Sequence, residues 1–174
     1  VSLNNLGSAH LAGAEYGEAL ESFQRAFTTS EEIGDPYGRA MSLHNLARLH
    51  ASIGELDVAE AHLEDSFRQA KLFNMRYLNL QNHLVRGMIL KDREEYTKAE
   101  GSYFRVLTAF SKQGNCAGLC TILVQVAELY RLNQNLEEAA SMIEEAKRNA
   151  EDLGIAPLQA RCLLEKARQL RAGD

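Results

Sequence analysis

Large apolar residues along this chain recur at i, i+3, i+4 and i+7, the spacing that gathers them on one face of an α-helix. The pattern breaks at short punctuated stretches and then resumes. SEEIGDPYG closes one such segment, and KLFNMRYL, SKQGNCAG and EDLGIAPL hold the same place further on. Gly34, Asn74, Gly114 and Gly154 fall at a constant spacing of 40 residues. Glycine and asparagine most readily take the left-handed conformation that closes a helix. Pro36 suits the first turn of the following helix, where its missing N–H would be unpaired anyway. Each stretch therefore reads as one helix ending and another beginning.

The rest of the pattern keeps the same register. Second helices open as EYGEA, ELDVA, EYTKA and NLEEA, with Tyr16, Leu56, Tyr96 and Leu136 in one slot. Ala19, Ala59, Ala99 and Ala139 follow, then Phe23, Leu63, Tyr103 and Ile143, then Ala26, Ser66, Val106 and Ala146. First helices align as NNLGSAH, HNLARLH, VRGMIL and QVAELY, with Gly7, Ala47, Gly87 and Ala127 in register. A small residue there lets two helices approach closely. A helix pair of this kind cannot bury its apolar face alone, so neighbouring pairs must stack and share a core.

Composition narrows the function classes. Only 2 prolines in 174 residues leave little room for a loop-rich or β-sandwich fold. No apolar run approaches the roughly 20 residues that a membrane span needs, and no leader pattern opens the chain. The net charge of −5 comes without a basic stripe, which argues against nucleic-acid binding. The basic residues near the end (Arg161, Lys166, Arg168, Arg171) read as a solvated face at a helix C-terminus. Three cysteines, an odd number, suggest a reducing, cytoplasmic setting rather than a disulfide framework. Cys116 and Cys120 share a helix face without further ligands nearby, so both are expected as small buried residues and no metal or cofactor is expected.

Enzymatic signatures are missing from the sequence. It contains no nucleophile elbow, P-loop, H-E-x-x-H or dinucleotide fingerprint. His10 and His50 stand in the slot that Leu90, Tyr130 and Leu170 occupy elsewhere, and are expected to pack. Glu31, Glu32, Glu144 and Glu145 read as solvated charge on outward faces. The chain reads as non-catalytic.

The arrangement resembles the tetratricopeptide repeat, in a longer form than the common one of roughly 34 residues. The resemblance covers the whole chain, with repeats at about 1–34, 35–74, 75–114 and 115–154 and a terminal helix at 157–171. Repeats with a "GD" joint are similar to those of the G-protein-signalling modulator (Pins/LGN) family, of bacterial signalling-peptide receptors and of multidomain transcription activators. The resemblance implies an all-α, right-handed α-solenoid of about nine helices whose concave side is lined by first helices. It also implies a protein-interaction scaffold that takes a peptide or partner segment in its groove. Two alternatives stay open: a ligand- or peptide-sensing module of a regulator or receptor, and self-association through the array ends, where Leu163, Ala167 and Leu170 lack a covering helix. Val1 is not a start methionine and LNNLG falls mid-helix in the register, so a piece of a longer protein is expected.

The family's groove slots carry over residue by residue. The first repeat supplies Asn4, Asn5, Ser8 and Leu11, and the second supplies Met41, His44, Asn45, Arg48 and Ser52. Gln81, Leu84, Val85, Met88 and Lys91 follow in the third, and Thr121, Val124, Gln125, Glu128 and Arg131 in the fourth. Arg161, Leu164, Glu165 and Arg168 belong to the terminal helix. Asn5 and Asn45 share a slot, and an asparagine can pair with a peptide's N–H and C=O together; the alternative is that each only solvates its own helix. The clamp that holds chaperone tails uses lysine and asparagine on the first repeat, asparagine on the second and lysine with arginine on the third. Here Asn4 and Ser8, Asn45, and Gln81 and Val85 stand there, so only one asparagine fits and every cation is missing, which argues against that ligand. The third repeat departs most: His83 and Arg86 stand where leucine or valine stands elsewhere. Either Leu84, Val85 and Met88 make an apolar patch in the groove, or this helix is rotated to bury Leu84 and Met88 and send Arg86 to solvent.

Overall fold

A computed structural model describes residues 2–154 and 168. Among them lie eight α-helices: α1 (Leu3–Ala12), α2 (Tyr16–Glu32), α3 (Pro36–Ser52), α4 (Leu56–Leu72), α5 (Arg76–Asp92), α6 (Tyr96–Gln113), α7 (Cys116–Leu132) and α8 (Leu136–Leu153). The fold is all-α, and no strand occurs among the described residues. No described helix is long and apolar enough to cross a membrane. The terminal helix expected at 157–171, with Leu163, Ala167 and Leu170, lies outside the described residues except for Arg168, which is exposed.

Every second helix begins in the expected slot, at Tyr16, Leu56, Tyr96 and Leu136. The joints between hairpins close as the glycine spacing predicts, with φ of +67° at Gly34, +53° at Asn74, +63° at Gly114 and +64° at Gly154. At Gly34 the next amide, Asp35 N–H, reaches back to the Ser30 carbonyl at 2.8 Å while Gly34 N–H donates to Glu31 at 3.2 Å. That pair of bonds satisfies carbonyls a helix end would otherwise leave open. Pro36 starts α3 under a cap from Asp35, whose carboxylate accepts from Tyr37 N–H at 3.0 Å. A second series was not expected. Ala14, Gly54, Glu94 and Gln134, at the turns inside the hairpins, are also left-handed, with φ of 58°, 82°, 62° and 61°.

The chain divides into two compact units, Val1–Arg93 and Glu94–Asp174. In the first, α1 to α5 stack as successive neighbours, with α1 on α3 and α3 on α5 as well. Ala19, Phe23, Leu46 and Leu49 form one buried cluster, and Ala47, Ala51, Ala59, Leu63, Val85 and Ile89 form the next. Each fully buried Leu, Phe or Ile contributes about 1.5–3 kcal/mol through removal of apolar surface from water. In the second unit α7 packs on α6 and α8 around Leu123, Val124, Ala127, Ile143, Ala146 and Ala150. Cys120 belongs to that core as expected, whereas Cys116 is exposed at the first turn of α7.

Helix α5 keeps the register of the other first helices, which corrects both readings of the third repeat. Val85 is 2% exposed and packs against Ala47, Leu63 and Ile89, so it is a core residue and not part of an open patch. Leu84 and Met88 are half-buried. Arg86 is not sent to solvent: it stays in its slot, ion-paired to Glu64 and stacked on Phe67 at 4.3 Å. His10 and His50 also differ from plain packing residues. Each places Nδ1 against the carboxylate five residues on, Glu15 and Glu55, with His50 at 2.7 Å, and so ties its hairpin turn.

Candidate functional site

The first helices of the first unit enclose a cavity of about 460 Å³. Asn4, Asn5 and Ser8 from α1, His44, Asn45 and Arg48 from α3, and Gln81 from α5 line it together. With Met41, which also lines it, eight of the residues expected in a groove therefore meet at one place. Leu84, Val85 and Met88 do not line it. Gln125, Glu128 and Arg131 are half-buried on α7 in the second unit.

Hydrogen bonds between neighbouring first helices hold the cavity wall. Asn45 Nδ2 donates to Asn4 Oδ1 at 3.0 Å, and Asn4 Nδ2 donates to Ser42 Oγ at 3.1 Å. Ser42 passes its own proton to the Gly38 carbonyl at 2.9 Å. A second set lies deeper. Asn82 is fully buried, donates from Nδ2 to Ser66 Oγ at 3.0 Å, and leaves Oδ1 to accept from His44 Nδ1 at 2.8 Å. Because that oxygen can only accept, His44 carries its proton on Nδ1 and keeps Nε2 as an acceptor. Burial pushes the His44 pKa down to about 4, so the imidazole is neutral near pH 7.

These bonds change the meaning of the shared asparagine slot. Asn45 is 4% exposed and already engaged by Asn4, while Asn5 is exposed. Asn45 is thus committed to the wall.

Arg48 differs from every polar neighbour. It is half-buried, burial lowers its pKa, and among the described residues no carboxylate pairs with it. A cation removed from water without a partner is costly, and here it faces an open cavity. The wall therefore offers amide and hydroxyl groups that match a peptide main chain, plus one arginine that matches an anion, and it also carries the Asp35 carboxylate that caps α3.

Tyr37 and Tyr77 also line the cavity and were not expected. They sit in the first turns of α3 and α5, 51% and 62% exposed, in the same slot of successive repeats. That coincidence of slot was readable from the sequence. Exposed tyrosines beside a polar cavity are common binding anchors, since the ring adds area at low entropic cost.

Residues 1–71 match the family model of the tetratricopeptide repeat. The 43 kDa receptor-associated protein of the synapse from Tetronarce californica is 26% identical over 165 residues, covering 88% of this chain and 40% of that protein. Photosystem I assembly protein Ycf3 from Synechococcus elongatus is 41% identical over 56 residues, covering 32% of this chain and 31% of its own length. The chain thus spans less than half the length of either relative. Among solved structures, a Signal Transduction ATPase with Numerous Domains (STAND) protein with a tetratricopeptide repeat sensor, from Pyrococcus horikoshii, superposes with a TM-score of 0.82 at 18% identity. That match covers 97% of this chain and 26% of the other. BtubC from P. vanneervenii gives a TM-score of 0.80 at 17% identity, over 98% of this chain and 71% of that one. At these identities the structural matches speak to the fold alone.

Proposed function

We propose, from the match of residues 1–71 to the tetratricopeptide-repeat family model, that this chain is a non-catalytic, cytoplasmic interaction module that holds an extended partner segment across α1, α3 and α5. One observation carries the reading: eight positions expected in a groove line a single cavity around Arg48, a half-buried cation that no carboxylate pairs with among the described residues. Asn5, Ser8 and Gln81 would pair with the segment's main chain, and Arg48 with an acidic side chain or a terminal carboxylate. Tyr37 and Tyr77 would flank it.

A peptide library displayed on phage, selected on the immobilised protein, tests this directly. Enriched peptides are expected to carry an acidic residue and to bind in solution by fluorescence anisotropy. Arg48→Glu is expected to weaken them by at least about tenfold. Arg105→Glu, on an exposed position of α6, should leave them unchanged. Peptides that bind wild type and Arg48→Glu equally, with both proteins folded by circular dichroism, would move the site elsewhere.

A further inference from the structure

A larger cavity, of about 640 Å³, lies between the last turns of α4 and the first half of α5. It is separate from the groove. Arg76, Asn79, His83 and Arg86 of α5 face it, whereas Tyr77 and Gln81 of the same helix face the groove.

Charge sets this place apart. Arg68, Lys71, Arg76 and Arg86 line it, against a single lining carboxylate, Glu64. Glu64 pairs with Arg86, and Arg68 pairs at 2.7 Å with Asp65 beside the cavity. Four cations less two carboxylates leave a local charge of +2 in a chain of net charge −5. No ion pair engages Lys71 or Arg76 among the described residues, and both are exposed.

The array does not need these cations for packing. In the other repeats the slot of Arg68 holds Thr28, Thr108 and Arg148, and that of Lys71 holds Glu31, Ser111 and Glu151. Pro36 and Cys116 stand in the slot of Arg76, Leu46 and Val126 in that of Arg86. His83 replaces Leu43 and Leu123. Among the four complete repeats, Lys71, Arg76, His83 and Arg86 thus put basic residues where neutral, apolar or acidic ones stand elsewhere, while the slot of Arg68 is basic again at Arg148. Phe67 fixes two of them: its ring lies 4.3 Å from the Arg86 guanidinium and meets His83 edge-on at 4.9 Å. A guanidinium stacked on an aromatic face is held in plane, with N–H groups presented to an oxyanion.

We propose that this α4–α5 cavity binds a phosphate monoester carried on a partner protein, a phosphoserine or phosphothreonine side chain. A monoester carries a charge of about −1.5 to −2 near neutral pH, which matches the local excess. Guanidinium and ammonium groups lining one cavity suit a tetrahedral oxyanion. The overall negative charge of the chain repels extended polyanions, so nucleic acid and anionic membrane are disfavoured against a compact group on a single side chain.

The test uses two probes of defined chemistry, a capped phosphoserine peptide and inorganic phosphate, titrated into isotope-labelled protein and followed by amide chemical shifts. Both are expected to perturb residues 74–79 and the Arg68–Lys71 turn, and phosphate should displace the peptide. Lys71→Glu with Arg76→Glu is expected to weaken the phosphopeptide by at least about tenfold. Lys71→Gln with Arg76→Gln serves where charge reversal disturbs the fold. Arg48→Glu should leave phosphopeptide binding intact, so failure here and failure of the groove reading are separable. The proposal is overturned by absence of shifts at the α4–α5 turn, or by equal binding of the serine peptide. It also falls if duplex DNA or anionic vesicles bind the wild type more tightly than the phosphopeptide does in a manner that the charge reversal abolishes.

Discussion

Gly7 has room for a hydrogen and nothing larger. A methyl group there would lie 2.5 Å from Cε1 of Phe23, inside van der Waals contact. The same slot accepts Ala47 beside Leu63 and Ala127 beside Ile143, since an aliphatic partner leaves the space that an aromatic ring fills. Gly7→Ala gains up to about 1 kcal/mol of helix propensity, against an overpacking cost of about 1–3 kcal/mol. The net effect expected in urea unfolding is a loss of stability, and Phe23→Leu in the same chain should recover part of it. A stabilised single variant would mean the ring moves aside freely. Asn82 is a second such residue. Asn82→Ala would leave His44 Nδ1 and Ser66 each short of a partner and open a small void, at a cost of about 2–3 kcal/mol. Asn82→Asp is a sharper probe, since it keeps the volume and buries a charge.

At the scale of the element, the helices owe their ends to two interleaved series of left-handed residues. Those between hairpins were legible because glycine or asparagine marks each one. Those within hairpins were not, because Ala14, Glu94 and Gln134 carry no such mark. The turn imposes their conformation: Glu15 N–H reaches the His10 carbonyl at 2.9 Å and Asn135 N–H the Tyr130 carbonyl at 2.8 Å. A non-glycine residue in this region gives up roughly 1–2 kcal/mol. Gln134→Gly should therefore raise stability, by somewhat less than that because glycine also loosens the unfolded chain. Gly34→Ala should lower it by a similar amount. Equal and opposite shifts in the urea midpoint would match the geometry; a destabilised Gln134→Gly would contradict it. The placement of α5 was legible in outline and misread in detail. Val85 shares a slot with Asn45, and that slot is covered wherever a preceding first helix lies against it.

Across the molecule, acidity acts through buried imidazoles. His44 titrates near 4 when folded against an ordinary value of 6.5, and burial, with the charge of His50 next, lowers His62 as well. Between those limits the unfolded chain binds protons that the folded one refuses. Stability is then complete above about pH 6.5 and declines as pH falls toward 4, by up to about 3 kcal/mol for His44. Urea midpoints at pH 7 and pH 5 should differ for the wild type and differ less for His44→Gln. An unchanged pH dependence in that variant would assign the effect to other groups. The groove itself was half legible. Repeat register located Asn4, Asn5, Ser8, His44, Asn45, Arg48 and Gln81, but which of them were already spent on one another depended on distances between helices, which no spacing rule contains.

Arg48 has a consequence for anyone who would improve this protein by heating it. Exchanging it for methionine should raise the melting temperature, because a solvent-starved cation gives way to a side chain content in the same space. Selection for thermal endurance alone would therefore discard this residue early, and the survivors would be hardier and deaf to an anionic partner.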